Sequence, residues 1–567
     1  MAASPLFAGF DFGTESVRVV IVDRRGATVG SAVAPFQHGQ IVRGSESAAR
    51  LFSQPLPPTF ALQHPLDWIE SAARACRSAL QNGAIDPNRV HGVGVDFTSC
   101  TMLPCRGDGM PLCVAGIDGS LPSLSNQTHA WPKLWKHHGA ISQTGRLNAV
   151  ARQRSEKWLA RYGGAIGLEW LIPKMLEVIE SAPAIADAAQ IWLEAGDWFI
   201  WQLIGSPWMQ GDCDAMRLPR STCHAGYKAL WSPDHGYPSR DYLHAVNSTL
   251  AEAVAHKLPG RFIAPGVRAG ELHTSMAERL GLPEGIAVSA AIIDAHSGVP
   301  GAGVGSAGTL VMVMGTSGCH MLLAERERLV AGVAGIVKDG ILPGFVGYET
   351  GQAAMGDAFD WARRLAGHAD FSALDTAAAS IAPGADGVSC LDWFNGCRTP
   401  LMNASVSGVL GGLTLAHGPA HIYRATQEAS VFGLRWIVDT LRDGGVPIDA
   451  FVATGGLPHK NKLFMQIVAS TLEHPVSIHQ APHGPALGAA ILGALAAGTE
   501  AGGFSNVAEA VDCMAGSRSA IPPPAIVEPR DDWACDYRNY YKRYRALAQE
   551  AARSDSPLHP AAFAHSS

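Results

Sequence analysis

Two short apolar runs separated by a small, hydroxyl-bearing turn occur near the start of the chain and again past its middle. Phe7–Phe10 and Val17–Val22 flank Asp11-Phe12-Gly13-Thr14-Glu15-Ser16, and Asp23-Arg24-Arg25-Gly26 closes the second run as a hairpin would. Leu310–Met314 and Met321–Ala324 flank Gly315-Thr316-Ser317-Gly318 in the same way. A unit used once in each half predicts a duplicated α/β architecture with a cleft between the halves, the copies sharing pattern more than sequence.

The 567 residues suffice for two or three domains at ~100–200 residues each. Charged residues make up 16%, against about 25% in ordinary globular chains, so a folded and rather apolar protein is expected. A net charge of −7 without a Lys/Arg-rich run lacks the footprint of a general nucleic-acid binder, while a phosphate-bearing small molecule stays open as a partner. The 11 cysteines include no CxxC pair, which argues against a zinc site or a disulfide framework and predicts free buried thiols in a reducing compartment. No basic segment followed by an apolar one is read at the N-terminus, and the apolar stretches 286–293 and 485–498 fall short of the ~20 residues of a membrane span. A cytoplasmic protein without a membrane partner is the expectation.

Further along, Val90–Val95 reads as a strand ending at Asp96, followed by Thr98-Ser99-Cys100-Thr101, and Ile286–Ile293 as a strand ending at Asp294. Open α/β sheets place ligand groups at such strand ends. Leu168, Leu171, Ile172, Met175, Leu176 and Ile179 recur at helical spacing as a core helix with no chemistry assigned. Helices are also expected over Ala425–Leu441, Asn461–Ser470 and Gly484–Gly498, and a strand over Phe451–Ala453. The segment 525–549 reads as helical, and 551–567 as a disordered tail.

Several segments carry chemistry, each beside a plainer reading. Gly13 and Thr14 fit a phosphate cradle with Asp11 orienting Mg²⁺ through water, or an ordinary turn. Gly315, Thr316 and Ser317 offer a second such loop. Thr454-Gly455-Gly456 with Asn461 would let a purine or ribose approach the backbone, or is a plain βα turn. Asp294 is a helix cap, or a base beside a transferred γ-phosphoryl group. Trp131 and Trp135 cover a sugar ring or pack beneath a loop. His296, His459 and His483 lack ligand spacing and read as surface or core histidines. Lys228 and Glu349, taken alone, read as surface charges.

Taken in order, Asp11-Phe12-Gly13-Thr14, Gly94-Val95-Asp96, Asp294, Gly315-Thr316-Ser317 and Gly455-Gly456 resemble the FGGY family of carbohydrate kinases over residues 6 to 500. Added likeness comes from Trp135-Lys136, Glu169-Trp170, the segments 225–231, 347–352 and 484–490, Asp294-Ala295-His296, and above all the string Leu391–Pro400. These point within the family to members acting on L-ribulose. The resemblance implies a two-domain actin-like ATPase (hexokinase/sugar kinase) α/β fold with an interdomain active-site cleft. It divides the chain into an N-terminal domain over 6–297, a C-terminal domain over 298–500 and a helical extension over 501–550. It implies ATP and Mg²⁺ as cofactors, phosphorylation of the 5-hydroxyl of a ketopentose, and a homodimer at the family level.

By the same resemblance Asp294 is the catalytic base, Trp135, Lys228 and Glu349 contact the sugar, and Asp96 with its following loop forms the floor of that pocket. Asp11, Gly13, Thr14, Gly315, Thr316, Ser317, Gly455, Gly456 and Asn461 serve the nucleotide, with Asp11 near Mg²⁺. The second turn continues Gly318-Cys319-His320, where such chains usually carry a Thr and an Asp, and Gln37–Thr59 matches poorly. Rival expectations are a family member acting on D-ribulose, D-xylulose or glycerol, and an actin-like nucleotide switch that transfers nothing to a sugar.

Overall fold

In the computed structural model, residues 4–121, 124, 126–367 and 370–558 are described. Two large sheets carry the chain, and they share one plan. In the first, the hairpin ribbon Thr28–Pro35, Ser16–Asp23, Leu6–Phe12 is antiparallel, Val90–Phe97 and Ala287–Ser289 add in parallel, and Arg268–Glu271 closes the edge antiparallel. The second runs Val346–Gln352, Gly318–Ala324, Thr309–Met314, then parallel Ala450–Thr454 and Val476–Ile478, then antiparallel Ala525–Val527. Gly335–Lys338 extends its first edge. The duplication expected from the two hairpins thus extends to the whole order of strands.

The central strand Leu6–Phe12 is buried at every residue but Asp11, as a strand covered on both faces must be. One face meets the helix Gly484–Ala497, whose Gly and Ala residues let its backbone lie directly on the sheet. A Cβ added at Gly94 would stand 1.8 Å from the Ala489 carbonyl oxygen, and one at Gly9 would stand 1.9 Å from that of Ala486. The same helix abuts the helix Asp294–Gly301, where a Cβ at Gly488 would reach 1.9 Å from the Ser297 carbonyl oxygen. One small-residue helix therefore sets the spacing of the segments bearing Asp11, Asp96 and Asp294.

The secondary-structure elements cut across the expected division of the chain. A boundary at 297 cuts the helix Asp294–Gly301, and Gly484–Ala497, placed with the second half, packs on the first sheet. Residues 501–550 are not a separate extension: Ala525–Val527 is the edge strand of the second sheet, the counterpart of Arg268–Glu271. The helix Asp531–Ala551 is tied in by Tyr537, whose hydroxyl receives an N–H from buried Arg424 at 2.7 Å and donates to Glu428 at 3.0 Å. Within the stretch 551–567, expected as a disordered tail, Ala551 and Ser556 are buried. Residues 559–567 lie outside the described residues. All 11 cysteines are free, eight of them buried. No helix among the described residues is long and apolar enough to cross a membrane.

Candidate active site

Between the two sheets lies a cavity of about 270 Å³. Of the residues expected at the site, Trp135, Lys228, Asp294, Ser317 and Glu349 line it. Asp294 is the first residue of its helix, following the short strand Ile292–Ile293, and its Oδ1 accepts the Ala295 N–H at 2.8 Å. The expected strand over 286–293 is broken at Ala290-Ala291, and the chain turns helical at Asp294. Burial, together with the Asp11 and Glu349 charges, pushes the Asp294 carboxyl up to about 7, against the lowering effect of the Ala295 N–H and Lys228. A carboxyl titrating near neutrality is suited to accept a proton at working pH.

Lys228 ends the helix Thr222–Lys228, and its Nζ donates to both oxygens of Glu349, at 2.7 and 2.8 Å. Burial alone would lower the lysine and raise the glutamate, but each charge outweighs that cost for its partner, so both remain ionised. His296, expected at the surface or in the core, is buried with Nε2 3.2 Å from Glu349 Oε2 and its ring 4.3 Å from that of Tyr227. Trp135 lines the cavity, yet its indole N–H donates to Thr14 Oγ1 at 3.1 Å, which links the expected sugar side to the first phosphate turn. Trp131 is fully buried beneath its loop.

The loop after Asp96 lines the cavity at Thr98, Ser99 and Cys100, but Asp96 itself does not. It lies within the strand Val90–Phe97, opposite Asp11 in the parallel register, fully buried, with neither oxygen hydrogen-bonded among the described residues. Burial, Asp11 and Asp294 raise its pKa well above the usual carboxylate range. Asp11 is raised by burial and partly restored by Arg18, whose Nη1 lies 3.2 Å away. Three acids crowded at the strand ends, one with orphaned oxygens, fit a hydrated divalent cation. Elsewhere, among the described residues, the ligand atoms of His38, His64 and Asp67 lie within 4.8 Å of one another. The two rings stack at 4.3 Å and 15°, so their in-plane lone pairs run nearly parallel and do not converge on a metal.

The turns behave differently from one another. Gly13 N–H is spent on the Ser16 carbonyl at 3.0 Å, and a Cβ added there would stand 3.5 Å from that same oxygen. Gly315 N–H bonds Ser317 O at 3.1 Å, leaving Thr316 exposed at the tip. Gly455, at φ +98°, presses against Met314, whose carbonyl oxygen would lie 2.5 Å from an added Cβ, so the turns around Gly315 and Gly455-Gly456 are brought together. Asn461 is engaged within the fold. Its Oδ1 caps the helix Lys462–Leu472 at Phe464 N–H, and its Nδ2 donates to Asp375 and Tyr423, which commits its polar atoms to the fold.

Residues the sequence left without a role also line the cavity: Glu169, Trp170, Cys319 and Arg398. The only signal for Glu169, Trp170 and Arg398 was their place in the family-like strings. Lys174, on the helix given no chemistry, is fully buried and donates to the carbonyls of Cys100 at 2.5 Å and Leu134 at 2.8 Å, pinning both loops that border the cavity.

Residues 310–497 match the C-terminal domain of the FGGY family of carbohydrate kinases. Over 562 residues the chain is 40% identical to the ribulokinase of Geobacillus thermodenitrificans, covering 97% of this chain and 95% of that one. It is likewise 40% identical over 562 residues to the ribulokinase of Anoxybacillus flavithermus, with the same coverage of each. Among solved structures, a xylulose kinase from Rhodospirillum rubrum superposes with a TM-score of 0.77 at 22% identity, covering 96% of this chain and 98% of the other. The fold and site define an ATP-dependent phosphotransferase acting on a sugar or polyol, of the two-domain actin/hexokinase-like type. The chain belongs to the FGGY family of carbohydrate kinases.

Proposed function

We propose that this kinase phosphorylates the 5-hydroxyl of a ketopentose, with L-ribulose preferred and L-ribulose 5-phosphate as the product, a step of arabinose breakdown. The observation that carries this reading is the Lys228–Glu349 pair set in one cavity with Asp294. A charged pair offers both a donor and acceptors to sugar hydroxyls, while the carboxylate takes the proton of the reacting one. The 40% identity to chains named ribulokinase supports the same acceptor.

Asp294 accepts the proton as the 5-oxygen attacks the γ-phosphorus in line, and the turns at Gly13-Thr14, Gly315-Thr316-Ser317 and Gly455-Gly456 face the nucleotide. Asp11, with Asp96 and Asp294 beside it, would hold Mg²⁺ through water, and the metal would neutralise charge on the β and γ oxygens. Closure of the two halves over the cavity would keep water from competing as acceptor.

The test is ADP release from Mg·ATP with L-ribulose, D-ribulose, D-xylulose, ribitol and glycerol offered separately. The expected result is the highest kcat/KM for L-ribulose. Preference for another acceptor would overturn the substrate and keep the kinase. Turnover of ATP indifferent to every sugar would favour the nucleotide switch.

A further inference from the structure

The string Leu391–Pro400 carries the strongest family likeness, and it holds a side chain without a partner. Main chain on both sides of Arg398 is clamped. Thr399 N–H donates to Gly351 O at 3.2 Å and Gly351 N–H returns a bond to Thr399 Oγ1 at 3.3 Å. Cys397 and Asn403 exchange two backbone bonds of 2.9 Å, and Met402 N–H donates to the Arg398 carbonyl at 2.7 Å. Behind the loop, Asp392 accepts from Tyr544 at 2.6 Å and from Gln352 at 2.8 Å. The backbone at Arg398 is thus fixed to the strand Val346–Gln352, while its guanidinium has no hydrogen bond or ion pair among the described residues.

That guanidinium lines the same cavity as Asp294, Lys228 and Glu349. A Cβ on Gly351 would lie 3.6 Å from Arg398 Nη1. Gly351 follows Glu349 by two residues along the strand, hence on the same face, so the guanidinium borders the wall that carries Glu349. Lys228 already gives both oxygens of Glu349 a bond. Arg398 keeps five N–H donors and has no acceptor of its own. A partly buried cation held in position without a partner is matched by a ligand that brings acceptor oxygens.

The proposed acceptor defines which oxygens these are. In a 2-ketopentose, ring closure joins O5 to C2, so the furanose has no free 5-hydroxyl. Transfer to O5 therefore requires the open-chain form, whose C2 bears a carbonyl oxygen that can only accept. We propose that Arg398 binds this C2 carbonyl and is a specificity-determining residue that selects the open-chain ketose over its ring form and over the corresponding polyols. The inference rests on the ketopentose reading of the site and adds how that substrate is chosen.

The test compares the wild type with Arg398→Met and Arg398→Lys, using L-ribulose and the two alcohols obtained by reducing its C2, ribitol and L-arabinitol. Calorimetric binding of L-ribulose without nucleotide is measured beside steady-state kinetics. In Arg398→Met, Kd and KM for L-ribulose should rise by ~10-fold or more, with KM for ATP and kcat/KM for both alcohols within about twofold. Arg398→Lys should fall between, and carries the comparison if the Met variant does not fold. The proposal is overturned if ketose and alcohols lose equally, if kcat falls for every acceptor at unchanged KM, or if nothing changes. A wild type that binds L-ribulose without phosphorylating it would sink the kinase reading, and the binding comparison would still decide the role of Arg398. A wild type that binds and phosphorylates only the alcohols would overturn both.

Discussion

Lys228 Nζ lies 2.7 and 2.8 Å from the two oxygens of Glu349, and this contact joins a helix of the first half of the chain to a strand of the second. The side chains are only 8% and 10% exposed, so neither charge has water to fall back on. Removing one partner of such a pair costs ~3–5 kcal/mol, while replacing both with apolar groups costs much less.

Lys228→Met should therefore destabilise the protein more than the double variant Lys228→Met/Glu349→Leu, as measured by denaturant unfolding. In kinetics, Lys228→Met is expected to raise KM for the sugar far more than KM for ATP. Equal effects on the two substrates would remove the pair from the sugar site.

Asp294 must be ionised to act as a base, so kcat/KM should climb with pH through an acid limb near 7, where burial places this carboxyl. Asp11 contributes to that upward push, and Asp11→Asn should move the limb to lower pH, whatever it does to the maximum rate. Asp294→Asn is expected to bind ATP as the wild type does and to lose at least ~10²-fold in kcat. A pH profile flat between 5 and 8 would contradict the assignment.

Lys174 reaches the cavity only through backbone. Lys174→Met would leave the Cys100 carbonyl without its donor, at about 1–3 kcal/mol if it stays unpaired, while the Leu134 carbonyl keeps the His137 N–H at 2.9 Å. Thermal unfolding should register the loss. Because these loops border the cavity, KM for the sugar should rise as well, although Lys174 touches no substrate.

Gly94→Ala puts a methyl group where the Ala489 carbonyl already sits. The helix Gly484–Ala497 would have to move off the sheet, at about 1–3 kcal/mol for overpacking. That helix also abuts the helix headed by Asp294, so activity should fall further than stability alone explains. Assay at a temperature well below the variant's Tm separates the two effects.

Much of this architecture was legible in short stretches. The two hairpins could be read because alternating apolar runs and a Gly turn are local signals, and of the second turn Ser317 lines the cavity, as does Asp294 after its own strand. What escaped depended on distant partners. Ala525–Val527 completes the second sheet from a segment that reads as helical, because three residues at an edge leave little periodicity. Gly484–Ala497 was visible as a helix, but its residues are so small that nothing marked the first sheet as its seat. Asn461 suited a nucleotide site by position, and its part in capping the helix and holding Asp375 and Tyr423 could not be read from the sequence. Arg398 owes its place to the docking of Thr399 on Gly351.

The seating of Gly484–Ala497 on Leu6–Phe12 also sets an order of events during synthesis. At about 5–20 residues per second, the ribosome reaches Ala486 roughly half a minute to a minute and a half after it has made Gly9. Once Ile293 has been made, the first sheet has all its strands and, for the rest of that interval, no cover for one face. A nascent chain stalled or cleaved before Gly484 would thus expose a bare, glycine-lined apolar surface, and holding it soluble falls to chaperones until the segment 484–497, near the end of the message, is read.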